Sequence, residues 1–329
     1  MPAKRDTLTN RATLARAPLA PPPKRVPRTP GVTSVAVSRP KRDWAAYNNE
    51  LVRRGNVFDI VVDKSTLGDW KPRTGRRGQP KFSTGAIEAC YMLRAALRLN
   101  LRATEGFLMG LFERVGVDPA LVPDFSTLSR RRGDVQLRPV KLEPGGVWLI
   151  DGTGIAYHSK GGYARAKYGN PKREFVRVTL TTDAATGAIT GAQVTPECGP
   201  GTGEVSQVHY LLCGPNGAPE VLIGDGAYDT GGVWEECESR GVRLVTPPRI
   251  TATPGLHPDR DVVLTQVGRL GYRTWKQRSG YHTRSLVEST NGALKSTTGD
   301  TTRALTHKGA QADIYSRINL YNRWLGVAV

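Results

Sequence analysis

Two short apolar runs, each ending in an aspartate, constrain this chain most. Gly146-Val147-Trp148-Leu149-Ile150-Asp151 and Glu220-Val221-Leu222-Ile223-Gly224-Asp225 share one pattern. Each is a buried strand, then an acid, then small residues. Phe175–Thr182 alternates, Asp183–Gly187 reads as a turn, and Ala188–Thr195 is its partner strand. Residues 203–213 and Thr230–Arg240 read as helices, and Arg243–Thr246 as a further strand. A hairpin followed by strands that alternate with helices predicts a mixed α/β sheet covered by helices. Sites in such sheets gather at the carboxyl ends of strands, which is where both acids fall. Asp229 is a rival for the second acid, one turn further on.

The chain has 329 residues and a formal net charge of +18. Residues 1–42 hold ten Lys or Arg, one acid, eight prolines and no aromatic residue. Such a segment cannot bury a core and is expected to be disordered. The remaining 287 residues carry the other +9, so the folded part is basic as well. This excess favours a polyanionic partner, most simply nucleic acid. No apolar run is long enough for a membrane span, and the prolines at 18 and 21–23 break up any signal-peptide core. Cys90, Cys198, Cys213 and Cys237 form no C-x-x-C pair, so reduced thiols in a cytosol are the expectation.

From Asp43 to about Gly133 the periodicity is helical. Asp43 caps a helix with Trp44, Tyr47 and Leu51 on one side. Ser83 caps the next, which stops near Asn100. Thr104–Val115 buries Phe107, Leu108, Leu111 and Phe112. A short helix from Ser126 runs into Arg130, Arg131 and Arg132. Small helices ending in an arginine cluster fit a DNA-binding module, though a plain helical domain has the same pattern. The basic stretch Lys71–Gly78, with Arg76 and Arg77, reads as a loop for phosphate contact or as a solvated linker. Residues 248–280 are rich in Pro, Gly, Arg and Asp and read as irregular. A last helix spans about Leu305–Leu325.

Near the end stand Tyr281, Arg284, Glu288 and Lys295. On one helix these positions fall within an arc of about 60°. Leu286, Val287, Ala293 and Leu294 point the other way. The polar strip suits phosphate contacts plus one metal-binding acid. An Arg–Glu pair on a solvated helix face has the same look. Bringing Asp151 and Asp225 together on adjacent strands would be repulsive unless cations neutralise them. Two divalent ions, with Glu288 as the third acid, would do so and would clamp a phosphodiester.

The spacing Y-x2-R-x3-E-x6-K resembles the signature of insertion-sequence transposases of the DDE type. Asp151-Gly152-Thr153 looks like their first acid motif, and Asp225-Gly226-Ala227-Tyr228 like their second. The order Asp, Asp, Glu is kept, with 73 and 62 residues between successive acids. Trp44-x2-Tyr47-Asn48, Thr104–Leu108 and Asp124–Arg131 resemble the N-terminal domain of insertion-sequence family five. Residues 248–280 are too short for the large β-rich insertion that some relatives carry.

The resemblance implies a ribonuclease-H-like sheet flanked by helices and preceded by a helical DNA-binding domain. The expected domains are a basic tail (1–42), a DNA-binding domain (43–143) and a catalytic domain (144–329). It implies cleavage at the ends of a DNA element and joining of the freed 3′-hydroxyls to target DNA, with two Mg2+ or Mn2+ ions. Asp151, Asp225 and Glu288 would be the catalytic, metal-holding acids. Tyr281, Arg284 and Lys295 would hold phosphates, with Arg76, Arg77, Arg130, Arg131 and Arg132 as further DNA contacts. The partners would be terminal inverted repeats and target DNA, with a homodimer on DNA, in the cytoplasm at the nucleoid. Trp275 would pack or stack a displaced base. Two other readings stay open: a catalytically silent DNA-binding derivative, or a ribonuclease-H-type nuclease.

Overall fold

The computed structural model describes residues 43–60, 67–68, 70–71, 81–143, 145–158 and 175–327. The proline-rich tail and Arg76 and Arg77 lie outside the described residues. Four helices come first: α1 (Trp44–Arg54), α2 (Thr84–Ala96), α3 (Leu101–Arg114) and α4 (Phe125–Arg130). Each starts where a side chain satisfies free backbone N–H groups. Asp43, Ser83, Asn100 and Asp124 are the caps. Asn100 therefore opens α3 and does not mark the stop of α2. Phe107, expected inside, is 38% exposed.

The sheet is built from β1 (Val147–Tyr157), β2 (Phe175–Asp183), β3 (Ile189–Pro196), β4 (Val221–Ile223), β5 (Arg243–Val245) and the short β6 (Thr301–Thr302). Its order is β3-β2-β1-β4-β5, with β6 added to the far end of β1. The first three strands are antiparallel, and β4 and β5 run parallel to β1. This is the ribonuclease-H-like arrangement. The β2–β3 turn is fixed as expected: Asp183 Oδ2 accepts from the N–H and hydroxyl of Thr186. Gly187 follows with φ +77°, a conformation that favours glycine.

One expectation fails at β1. The strand does not stop at Asp151 but continues to Tyr157, paired with β2 from Trp148 to Ala156. Its other edge is only partly covered. β4 pairs with Val147–Leu149 and β6 with Ala156–Tyr157. Between them, Ile150–Ile155 has no strand partner on that edge among the described residues. Asp151 sits in this gap.

Helices cover both faces. On one, Trp148, Ile150, Leu222 and Leu244 pack against α5 (Val208–Leu212) and α6 (Gly231–Ser239). On the other, Leu149, Ile223 and Val245 pack against Trp275, Tyr281 and Val287. Ile155, Val178 and Leu180 share a core with α2, α3, α4 and α10 (His307–Trp324). The helical region and the sheet thus have a common core. Buried Asp313 on α10 receives Arg94 of α2 at 2.6 Å and Arg317 at 2.7 Å, which ties the two parts together.

Residues 248–280 are a second correction. They contain α7 (Pro258–Leu270) and α8 (Tyr272–Arg278). Pro258 starts α7 with acids in its first turn, and Gly271 at φ +75° separates the helices. Among the described residues no helix is long and apolar enough to cross a membrane.

Candidate active site

Asp225 follows β4 directly. Its carboxylate caps the next turn by accepting from the N–H of Ala227 at 2.8 Å. Gly224 before it lies against the sheet, where a Cβ would meet the Tyr228 ring at 2.7 Å and Ile150 at 3.0 Å. Gly224→Ala is therefore expected to cost about 1–3 kcal/mol by overpacking. Urea denaturation should show this as a lower midpoint with an unchanged slope.

Asp151 lies on the β1 face that α9 (Ser285–Thr298) covers. Burial pushes its carboxyl above the ordinary range, the Arg284 guanidinium works against this, and the charges of Asp225 and Glu204 add to it. The parallel register pairs Leu149 with Ile223, so Asp151 and Asp225, far apart in the chain, each stand two residues past the same rung. Asn291 of α9 donates through Nδ2 to Asp151 Oδ2 at 3.1 Å. On the opposite face of β1, Glu204 occupies the space that Gly152 leaves open; a Cβ there would be 2.1 Å from its Cδ. Glu204 pairs loosely with Arg177 at 3.9 Å.

The polar strip near the C-terminus is not one helix. Tyr281–Arg284 forms a 3-10 turn, and α9 starts at Ser285. The tighter winding moves Tyr281 off the strip and into the core. It is 8% exposed and packs on Trp275 with ring centroids 5.6 Å apart. Burial, then Tyr272, pushes its phenol up to about 12. Trp275 is itself buried between Tyr272 and Tyr281. Arg284 is half-buried and donates to exposed Glu288 at 2.6 Å. Lys295 lines a cleft of about 510 Å³ with Gly152, Gly154, Phe175 and Arg177.

The arginine cluster divides. Arg130 is exposed and donates to the Thr127 hydroxyl at 3.1 Å. Arg131 is spent internally on Asp134 and the carbonyl of Phe82. Arg132 donates to the Thr306 hydroxyl at the start of α10. Asp229, the rival acid, is also spent. It takes both arms of the Arg260 guanidinium, at 2.7 and 3.0 Å, plus the Trp234 indole and the Arg249 N–H.

Among the described residues, no three His, Cys, Asp or Glu side chains are already gathered as an ion cage. The donor set nevertheless suits a hard divalent cation. Two carboxylates stand two residues past the last β1–β4 rung, with the Arg284 guanidinium to balance them. The buried Tyr228 hydroxyl has no hydrogen-bond partner among the described residues. Mg2+ keeps several waters and needs few carboxylates. Glu288 is exposed and forms an ion pair with Arg284, worth about 0–1 kcal/mol.

Two models described as transposase DDE domain match the chain, over residues 52–160 and 143–323. The second spans more than half of it. The chain belongs to the transposase DDE-domain family. Its activity is that of a DNA transposase, a metal-dependent polynucleotidyl transferase. Similar solved structures include the HTLV-2 integrase catalytic core domain in complex with magnesium. It is 16% identical, covers 47% of this chain and 70% of its own, and has a TM-score of 0.26. The piggyBac transposase synaptic complex with hairpin DNA is 13% identical, covering 82% and 74%, with a TM-score of 0.38. The Drosophila P element transposase strand transfer complex is 12% identical, covering 61% and 47%, with a TM-score of 0.24.

Proposed function

We propose that this transposase cleaves the terminal inverted repeats of a DNA element and joins the freed 3′-hydroxyls to target DNA. Asp151, Asp225 and Glu288 hold two Mg2+ or Mn2+ ions. One observation carries this reading: Asp151 and Asp225 each stand two residues past the last β1–β4 rung, Leu149–Ile223, at the gap where β1 outruns β4, and Arg284, paired with Glu288, acts on the Asp151 charge. When bound, such ions activate the attacking oxygen and neutralise charge on the leaving one. Arg284 supplies the local positive charge. Releasing Glu288 frees its guanidinium for a phosphate oxygen, a bidentate partner of matching shape. Lys295, in the cleft beside Gly152, takes a phosphate of the same strand. Buried Tyr281 supports Arg284 and does not reach DNA itself. The helices of residues 43–143 hold the DNA flank, with exposed Arg130 at the α4 end among their cations. Pairing two element ends makes a homodimer on DNA the working assembly, at the nucleoid of the cytoplasm.

The test is cleavage of end-labelled DNA carrying the repeats that flank the reading frame. Nicks with 3′-hydroxyl ends are expected at the repeat boundary in Mg2+ and none in Ca2+. A chain that binds this DNA but leaves it intact in both Mg2+ and Mn2+ would overturn the reading.

A further inference from the structure

The buried stripe of α9 reads Val287, Asn291, Leu294 and Thr298, at the spacing of a core-facing helix edge. Val287 and Leu294 fill the core as that spacing demands. Asn291, between them, is 8% exposed, yet carries a carboxamide. Its Nδ2 is accounted for by Asp151. Its Oδ1 is buried and, among the described residues, has no hydrogen-bond partner. Buried polar atoms in a folded chain are nearly always satisfied, so an orphan acceptor calls for a donor that belongs there.

The setting narrows that donor. Asn291 stands one turn after Glu288 on the same helix. Its amide touches a carboxylate of the proposed metal site. A hydrated divalent cation beside Asp151 would present water protons to an acceptor at this position. Side chains that orient a ligating carboxylate and take hydrogen bonds from coordinated water set metal affinity without ligating.

We propose that Asn291 is a positioning residue of the cation site: Nδ2 fixes the orientation of Asp151, and Oδ1 accepts a hydrogen bond from a water on the cation. This rests on Asp151 being a metal-holding acid. Asn291 orients the acid and its hydration shell and makes no contact with the reacting phosphate.

The full chain is titrated with Mn2+, following free ion by electron paramagnetic resonance, with melting temperature measured alongside. Asn291→Ala is expected to raise the Mn2+ dissociation constant roughly tenfold or more. Asn291→Leu, which keeps the volume, should do the same if the smaller residue unfolds the helix. Mn2+ affinity unchanged in both the Ala and Leu variants, with only the melting temperature lowered, would make Asn291 merely structural and overturn the proposal. Should the parent bind Mn2+ no better than Asp151→Ala, the metal reading of Asp151 falls, and this proposal with it. Loss on Asp151→Ala but not on Asn291→Ala or Asn291→Leu sinks this proposal alone.

Discussion

Asp151→Asn should lower end cleavage by roughly 10²–10³-fold or more, the scale of removing a transition-state charge stabiliser, and should raise the melting temperature. Both effects have one cause. Burial, opposed by Arg284 and reinforced by Asp225 and Glu204, holds the Asp151 carboxyl above its ordinary value of 3.8. A carboxyl whose folded pKa is raised binds its proton more tightly in the fold than in the unfolded chain. The fold therefore loses stability as pH rises from the ordinary value through the raised one, and the full penalty stands above the raised value. Asn has the same shape and no charge, and can still accept from Asn291. Melting at pH 7 should show the variant above the parent. The difference should shrink toward zero below the ordinary value, where Asp151 is protonated. A variant that melts lower at pH 7 while cleaving normally would remove Asp151 from the site and from this electrostatic account. The trade is common: active sites keep charges that the fold alone would discard.

Local signals in the sequence reached the structure intact. The β2–β3 turn follows from Asp183, Thr186 and Gly187, all within five residues, and the helix caps at Asp43, Ser83 and Thr306 are equally local. Asp225 stands at its strand end because Val221–Ile223 is short and fully buried. Asp151 was harder. Gly152-Thr153-Gly154 reads as a turn, yet β2 pairs with all three residues. Their small size serves long-range neighbours, Glu204 against Gly152 and Phe175 against Gly154, which no nearby residue announces. Glu204 itself gives no sequence signal, since 52 positions separate it from Gly152.

The C-terminal strip shows a different limit. Arg284, Glu288 and Lys295 keep their relation, but a change of helix type at Ser285 turns Tyr281 inward. About 20° per residue, the difference between 3-10 and α winding, decides whether a side chain meets solvent or core, and residue spacing does not fix the winding. Asn291 did leave a trace, a polar residue on the apolar stripe of Val287 and Leu294. α7 and α8 lie in a stretch whose Pro, Gly, Arg and Asp content hides them. Val263 and Val267 of α7 pack on the core only partly buried, and its buried side chain, Arg260, reaches Asp229.

That pair sets the second large effect. Asp229→Ala should destabilise the chain by about 3–5 kcal/mol, the usual result of removing one partner from a buried ion pair. The side chains of Arg260 and Asp229 are 5% and 0% exposed, so the orphaned guanidinium would have little water to turn to. Burial alone would raise the Asp229 carboxyl. The hydrogen bonds from Arg260, Trp234 and the Arg249 N–H outweigh it and hold the group below its ordinary value. The stability this brings is fully present above pH 3.8 and is lost only as pH falls through the lowered value. Urea midpoints at pH 7 should therefore drop sharply for Asp229→Ala. Asp225→Ala, four residues earlier, gives up only a cap to one N–H and should cost roughly 0.5–2 kcal/mol while ending cleavage. One aspartate would then be needed mainly for stability and the other mainly for chemistry. Equal losses of stability in the two variants would erase that division and reopen the choice of second acid.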